Sequence, residues 1–438
     1  PSWQMFMGQE PSLPDYRSPL LNWLLVGFLE VGEIFQVESA MDQARLITFG
    51  LGLLSLLAIV GGAFYVQRFE RPEFQRLTLY LLSLFPLMPF AGTRAFGESV
   101  SMSFAILGVG LAERRGSKGF ERSSSFVFWG FLCLGVAVLF RFQNGLLFVS
   151  YGLLMVIGTR GQLVLPIVSA GVLTLFGQMG VDILADRAPL STLQAYLQAN
   201  EGGASGYGAM PWYNTWLLAL AVTLFPFSLV FANRLRSLWK HHWQIIVPVL
   251  IFILAHSLVP HKEERFLYPV LPFLLIFVAW TWSEKLTSSW VKRLYFPTFS
   301  VTTILGLFVV LFNNTQAGEI EPLAFYEKRY DAVAFLDQDS VVGLSRIRPY
   351  FVREPSFYRK VKESPFNAAF IDQTFSRFPF LQATVFLTSD RSRLNELVSL
   401  EGHSQGNWSC LSLRKSGSTV DKWIHSMNPE HNQRRRPT

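Results

Sequence analysis

Residues 261–266, His261-Lys262-Glu263-Glu264-Arg265-Phe266, set five ionisable side chains between two apolar runs, 247–259 and 267–282. Taking such groups into hydrocarbon costs several kcal/mol, so the block marks either a membrane–water boundary or a site facing a polar cavity. A loop that only fixed orientation would be plainly basic. This one is mixed. Lys262 and Arg265 supply fixed positive charge and His261 a titratable donor, while Glu263 and Glu264 can orient the cations, a combination that suits a phosphate ligand. Two more arginines stand at the ends of apolar runs, Arg94 in Thr93-Arg94-Ala95-Phe96-Gly97-Glu98 and Arg141 in Phe140-Arg141-Phe142-Gln143-Asn144. They either snorkel at helix ends or join Lys262 and Arg265 in phosphate recognition.

The elements that must position these residues are membrane helices. Half of the 438 residues are apolar and 16% are charged, against about 25% charged in soluble domains. Apolar runs near 45–66, 77–93, 98–112, 124–140, 144–159, 162–184, 214–232, 244–260, 266–282 and 296–313 predict about ten spans, several of them short and therefore tilted or broken. The net charge of +7 resides in short connections rather than on one face, which argues for membrane orientation and against nucleic acid as a partner. The connections 67–76, 113–123, 160–161, 233–243 and 283–295 carry 14 lysines and arginines, whereas the alternate set carries five: Arg94, Arg141, Arg187, Lys262 and Arg265. The richer set is read as cytoplasmic. Residues 1–44, the loop 185–213, the 261–266 block and everything after 313 are then external.

Three domains follow from these assignments: an external loop region over 1–44, a transmembrane core over 45–313, and a small external α/β domain with a disordered tail over 314–438. In the first, the run 19–35 is short and carries Glu30 and Glu33 on one helical face, as an interfacial helix does. In the last, 326–336 and 393–400 read as helices and 341–344, 368–371 and 384–387 as strands. The longest break between spans, 184–213, reads as a loop without regular structure, and such loops are usually functional. It holds a glycine-rich stretch through Tyr207 and then Pro211-Trp212-Tyr213, either an interfacial aromatic belt or a groove for sugar or lipid. Cys133 and Cys410 imply no disulfide framework, and no pairing of Cys or His at metal spacing, glycine-rich phosphate loop or nucleophile elbow occurs. No cofactor is expected.

His-Lys-Glu-Glu-Arg-Phe followed by Leu-Tyr-Pro-Val-Leu-Pro-Phe resembles the signature of the membrane mannosyltransferases of glycosyltransferase family 22, polytopic α-helical membrane enzymes of the GT-C type that build N-glycan precursors and glycosylphosphatidylinositol anchors and have bacterial relatives. Loop 185–213 is similar to the family's as well, with an aspartate such as Asp182 or Asp186, then Asn200, Tyr207-Gly208 and Pro211-Trp212. Thr93-Arg94 with Glu98 resembles a further family element, and Arg17-Ser18 the Arg-Ser of the first large external loop. Gln4 resembles the glutamine a few residues after the family's Pro-Asp-Glu motif. That register puts the catalytic aspartate just upstream of Pro1, so that the natural N-terminus is missing. In another register Asp15, otherwise a turn residue after Pro14, is the best remaining candidate, with Glu10 next.

The resemblance implies an inverting transferase. A carboxylate takes the proton of an acceptor hydroxyl, which attacks the anomeric carbon of a polyprenyl-phosphate sugar, mannose in the family. The lipid phosphate leaves against His261, Lys262, Glu264, Arg265, Arg94 and Arg141, while Arg17, Asn200, Tyr207 and Trp212 line the substrate groove. The partners are the lipid bilayer, the polyprenyl-phosphate-linked sugar and a glycan or glycolipid acceptor. The site would be periplasmic in a bacterial inner membrane or lumenal in an endoplasmic reticulum membrane. A non-enzymatic transporter of lipid-linked glycans is the competing class, but it should show inverted repeats and mid-membrane charges, and the sequence shows no repeat. A glycan polymerase or ligase with another lipid-linked donor differs from the preferred reading only in its motifs. In a background lacking Cys133 and Cys410, cysteine introduced at position 204 or 262 should react with an impermeant thiol reagent in intact cells or spheroplasts, and cysteine at position 118 should not. Labelling at 118 with none at 204 inverts the orientation.

Overall fold

The computed structural model describes residues 17–37, 40–114, 122–201, 210–222, 235–260 and 262–283, helical positions between 297 and 309, and five strands between 333 and 426. Away from water only hydrogen bonds within the segment can satisfy the backbone, so the apolar runs fold as helices. They are α1 (Leu20–Ile34), α2 (Ala40–Val66), α3 (Pro72–Leu84), α4 (Leu87–Gly92), α5 (Gly97–Ala112), α6 (Ser124–Phe140), α7 (Gly145–Gly158), α8 (Val164–Leu184), α9 (Ser191–Glu201), α10 (Asn214–Val222), α11 (Leu235–Leu258) and α12 (Leu271–Ser283). Two 3-10 segments, Phe142–Asn144 and Glu264–Val270, lead into α7 and α12. Among the described residues four stretches are long and apolar enough to cross a membrane, Asp42–Val66, Val164–Leu184, Leu235–Leu258 and Glu264–Ser283, and three apolar helices are shorter.

Several expectations change. The run 77–93 is two helices, because Pro86 forces Phe85 out of the helical region (φ −63°, ψ 125°) and ends α3 there. Residues 235–243, expected as a connection, are the first turns of α11: Arg236 and Lys240 stay exposed on a helix whose other face buries Leu238 and His242. The 184–213 break is not without regular structure, since α9 occupies 191–201. Its low hydrophobicity hid it from a search for membrane periodicity.

The chain divides into two compact units, one made of Pro1–Glu10, Phe28–Leu46 and Asn314–Thr438, the other of Pro11–Gly27 and Ile47–Asn313. In the first, strands β1 (Val333–Asp337), β2 (Phe357–Lys360), β3 (Ala383–Thr388), β4 (Trp408–Ser416) and β5 (Thr419–Ser426) form one sheet in the order β2-β1-β3-β4-β5. The first four run parallel, with Phe335 opposite Tyr358 and Val385, and β5 closes the sheet antiparallel to β4. Residues 333–336, expected as the end of a helix, are strand. A short unbroken apolar run does not distinguish a doubly buried parallel strand from a buried helical turn. The expected strand 384–387 lies inside β3, while 326–332, 341–344, 368–371 and 393–400 lie outside the described residues.

In the second unit α5 packs against α6 and the 264–270 segment, α6 against α8, α7 against α11 and α12 against α3. Every residue of α12 from Leu271 to Trp282 is buried, with Trp280 fully so against Phe74 at 5.1 Å between rings. Met102, read as a packing residue, is fully buried in the same core. Because lipid tails are as apolar as leucine, association of such helices depends on close backbone approach at small residues. Helix α5 uses glycine for this on both sides. A Cβ on Gly110 would lie 2.8 Å from the carbonyl carbon of Gly61, and one on Gly108 would lie 2.9 Å from the backbone nitrogen of Leu134. Gly110→Ala should therefore lower thermal stability in detergent by about 1–3 kcal/mol, whereas Gly145→Ala, where nothing lies within 4 Å, should be neutral.

Candidate functional site

The site grows from the start of α5. Phe96 is extended (φ −117°, ψ 142°) and ends the preceding turn, so Glu98 falls in the first helical turn, where a carboxylate complements the positive end of the helix dipole. Its side chain is buried with the residue only 3% exposed. Two cations from distant elements serve it. Arg141 stops α6 in an extended conformation and donates its Nη2 to Glu98 Oε1. Arg265, from the Glu264–Val270 segment, brings its Nε within 3.8 Å of the same oxygen.

Phe96-Gly97-Glu98 is shaped for these arginines. The Arg265 guanidinium sits 4.9 Å over the Phe96 ring, a cation–π contact. A Cβ on Gly97 would be 3.0 Å from Arg141 Cδ and from the Phe140 carbonyl oxygen, so the glycine provides the room in which Arg141 crosses. Glu263 holds Arg265 from the other side, accepting from Nη2 at 2.8 Å and pairing with Nε at 2.5 Å. Asn144 fixes the Arg141 corner by donating to the carbonyls of Ala137 at 3.0 Å and Arg141 at 3.1 Å. The Tyr268 phenol lies within electrostatic range of Glu264, Arg94, Glu98 and Arg265, and the Arg94 guanidinium lies 4.5 Å over Phe90.

Of the residues expected at the site, Arg141 and Arg265 meet at one carboxylate, with Arg94 in range through Tyr268. Glu264 is exposed. Lys262 departs from expectation. It is not a water-facing cation but 5% exposed, its Nζ donating to the carbonyls of Val259 at 2.6 Å and Met210 at 3.1 Å. The backbone nitrogen of Met210 donates in turn to the Pro260 carbonyl at 3.0 Å. The carbonyls left over where α11 ends require a donor, and the lysine supplies it, which also makes position 262 a poor place for a labelling reagent. Trp212 is 64% exposed and edge-on to Tyr213. Arg17 accepts through its carbonyl from Arg187 Nη1 at 3.2 Å. Asn200 is a backbone position of α9. Asp15, Tyr207, His261 and the side chain of Asn200 lie outside the described residues.

Sequence reasoning cited Glu98, Asn144 and Tyr268 only within motifs and passed over a second cluster at the far end of α5. There Glu113, 3% exposed, accepts from Arg68, from Arg122 at 2.7 Å and from the Tyr151 hydroxyl at 2.8 Å, while Arg122 also reaches Gln244 Oε1 at 2.7 Å. Burial pushes the Glu113 carboxyl up, but the guanidinium groups of Arg68 and Arg122 and the hydrogen bonds outweigh it and hold the carboxyl below its ordinary value. At 1.5 Å per residue Glu98 and Glu113 stand about 22 Å apart along the helix. The stabilisation from Glu113 is present above its unfolded pKa of about 4.3 and is lost as pH falls through the lower folded value. Thermal stability in detergent should therefore fall more steeply below about pH 4.3 in the wild type than in Glu113→Gln.

Chemically, the Glu98 end offers guanidinium forks that already grip carboxylate oxygens and match phosphate oxygens equally well. A sequence profile of the Alg9-like mannosyltransferase family matches residues 17–341. GPI mannosyltransferase 3 of Yarrowia lipolytica is 24% identical over 351 residues, 76% of this chain and 64% of its own. GPI alpha-1,2-mannosyltransferase 3 is 44% identical over 73 residues in Danio rerio, 16% of this chain and 13% of its own, and 29% identical over 124 residues in Homo sapiens, 28% of this chain and 21% of its own. The chain thus covers less than two thirds of each of these relatives. Among solved structures, ArnT from Cupriavidus metallidurans bound to undecaprenyl phosphate superposes with a TM-score of 0.51 at 13% identity, over 95% of this chain and 88% of that one, a likeness of fold that fits a polytopic GT-C architecture.

Proposed function

This chain belongs to the Alg9-like mannosyltransferase family, and from that premise we propose that it transfers mannose from a polyprenyl-phosphate carrier to a glycan or glycolipid acceptor, with inversion at the anomeric carbon. The observation that carries the reading is the convergence of Arg141 and Arg265 on buried Glu98 at the end of α5. Two forks preset against a carboxylate oxygen need little reorganisation to take a phosphate, and that economy favours the state in which the lipid phosphate departs with its charge. The mannosyltransferase relatives support the sugar, and the undecaprenyl phosphate bound to the structural neighbour supports a lipid-phosphate donor.

In this reading Arg141 and Arg265 hold the donor phosphate, with Arg94 near them and Glu264 at the rim, and His261 contributes a titratable donor. Lys262 acts chiefly by anchoring the segment that carries Arg265, through the carbonyls of Val259 and Met210. The acceptor hydroxyl gives its proton to a carboxylate of the first loop, with Asp15 as the candidate in this sequence, and its oxygen forms the new bond to the anomeric carbon as the bond to the phosphate oxygen breaks. Arg17, Asn200, Tyr207 and Trp212 contribute the groove. The lipid-phosphate sugar is a co-substrate, and the reaction as written uses no metal or other cofactor. In the same reading the face carrying Glu98 is the external one, which the sparser lysine and arginine count of its connections supports.

Radiolabelled polyprenyl-phosphate mannose with lipid-linked acceptors tests the assignment in the purified protein. Arg141→Ala and Arg265→Ala should each reduce turnover by about two orders of magnitude. Arg265→Lys should also be poor, because a point charge cannot replace a fork against two acceptors. Near wild-type transfer by both alanine variants, with melting curves confirming the fold, removes the phosphate site from this end of α5.

A further inference from the structure

The turn that follows α8 is tied to the first loop through a buried carboxylate. Asp182, in the last turn of α8, is fully buried; its Oδ1 accepts from Gln178 Nε2 at 2.9 Å and from the Thr192 hydroxyl at 2.5 Å, and its Oδ2 meets no donor among the described residues. The Thr192 oxygen accepts from Arg187 Nη1 at 3.0 Å, and the same Nη1 donates to the Arg17 carbonyl at 3.2 Å, bridging residues 170 apart in sequence. The Arg187 backbone nitrogen donates back to the Asp182 carbonyl at 2.9 Å. On either side of Arg187 the backbone enters the left-handed region, at Asp186 (φ 56°) and Leu190 (φ 62°). A leucine stays there only where its surroundings over-determine it.

A fully buried carboxylate with one oxygen unserved is an expensive way to finish a helix, and an apolar residue of similar volume would do so at less cost. What the carboxylate adds is direction. An ionised carboxylate can only accept, so the Thr192 hydroxyl must point its hydrogen at Asp182 and turn its lone pairs to Arg187. We propose that Asp182 is a positioning residue: through Thr192 and Arg187 it fixes the first loop at Arg17 against the turn after α8, setting the place at which Arg17 is presented to the transfer reaction. The rate part of this inference rests on the transferase reading; the structural part does not.

Thr192→Val removes the hydroxyl and keeps the shape, and Thr192→Ser keeps the hydroxyl. In the full chain in detergent, hydrogen exchange of the amides around Arg17 should accelerate about tenfold in Thr192→Val and stay within about twofold of wild type in Thr192→Ser. Mannosyl transfer by the same preparations should show kcat lowered about tenfold by valine, with KM for the donor unchanged and kcat restored by serine. Unchanged exchange in Thr192→Val overturns the relay, and accelerated exchange with unchanged kcat overturns the positioning role. A wild type that transfers no mannose sinks the transferase reading, and exchange then decides the relay alone. If the valine variant does not fold, Thr192→Ala carries the same comparison in a better helix former.

Discussion

The second unit depends on one helix, α5, whose two ends are each a buried carboxylate gripped by arginines from elsewhere in the chain. Glu98 holds Arg141 and Arg265, and Glu113 holds Arg68 and Arg122. A buried carboxylate is tolerable only when it is paired and hydrogen-bonded, so each end fixes the elements that bring its partners. Between the ends the helix offers glycine to α2 and α6, and the contacts are close enough that a methyl group would collide with backbone. Charge therefore sets where α5 ends, and close packing sets how near its neighbours come.

The two ends are not equivalent. Glu113 has a full set of donors in Arg68, Arg122 and Tyr151, and its cluster is closed. Around Glu98 the pairing is looser: Arg265 stands 3.8 Å off and is shared with Glu263, and the Nε of Arg141 is buried without a hydrogen-bond partner among the described residues. A cluster with donor capacity to spare suits a site that accepts an anion, whereas a closed one suits a structural joint. This asymmetry distinguishes the two ends of a helix that composition alone would treat alike.

The signature block divides its work more finely than its charges suggest. Lys262 is drawn inward to the carbonyls of Val259 and Met210, which ties Met210 to the end of α11, while Arg265 is left to reach across to Glu98. A lysine suits the first task because an ammonium can satisfy two carbonyls in unlike directions, and an arginine suits the second because its fork is planar and flanked by the Phe96 ring. Neighbouring cations thus carry different roles, one in holding the backbone and one in facing the site.

The membrane class, most helix positions, the alternation of basic connections and the family resemblance were legible in the residues alone, because each depends on local composition or on a short run of chain. The helices expected over 98–112, 124–140 and 144–159 lie within one residue of α5, α6 and α7. The sequence also marked Arg94, Arg141, Lys262 and Arg265 as worth weighing, since ionisable groups beside hydrocarbon are costly wherever they occur. It took the folded chain to show that Arg141 and Arg265 share Glu98, that Lys262 is buried, that 235–243 is helix, that 333–336 is strand, and that Asp182 reaches Arg17 through Thr192 and Arg187. The reason is range. Helical periodicity and basic bias are written within a few turns of chain, whereas the partner of a buried charge is chosen by how helices cross, and Glu98 and its arginines stand on three separate elements whose meeting no local pattern encodes.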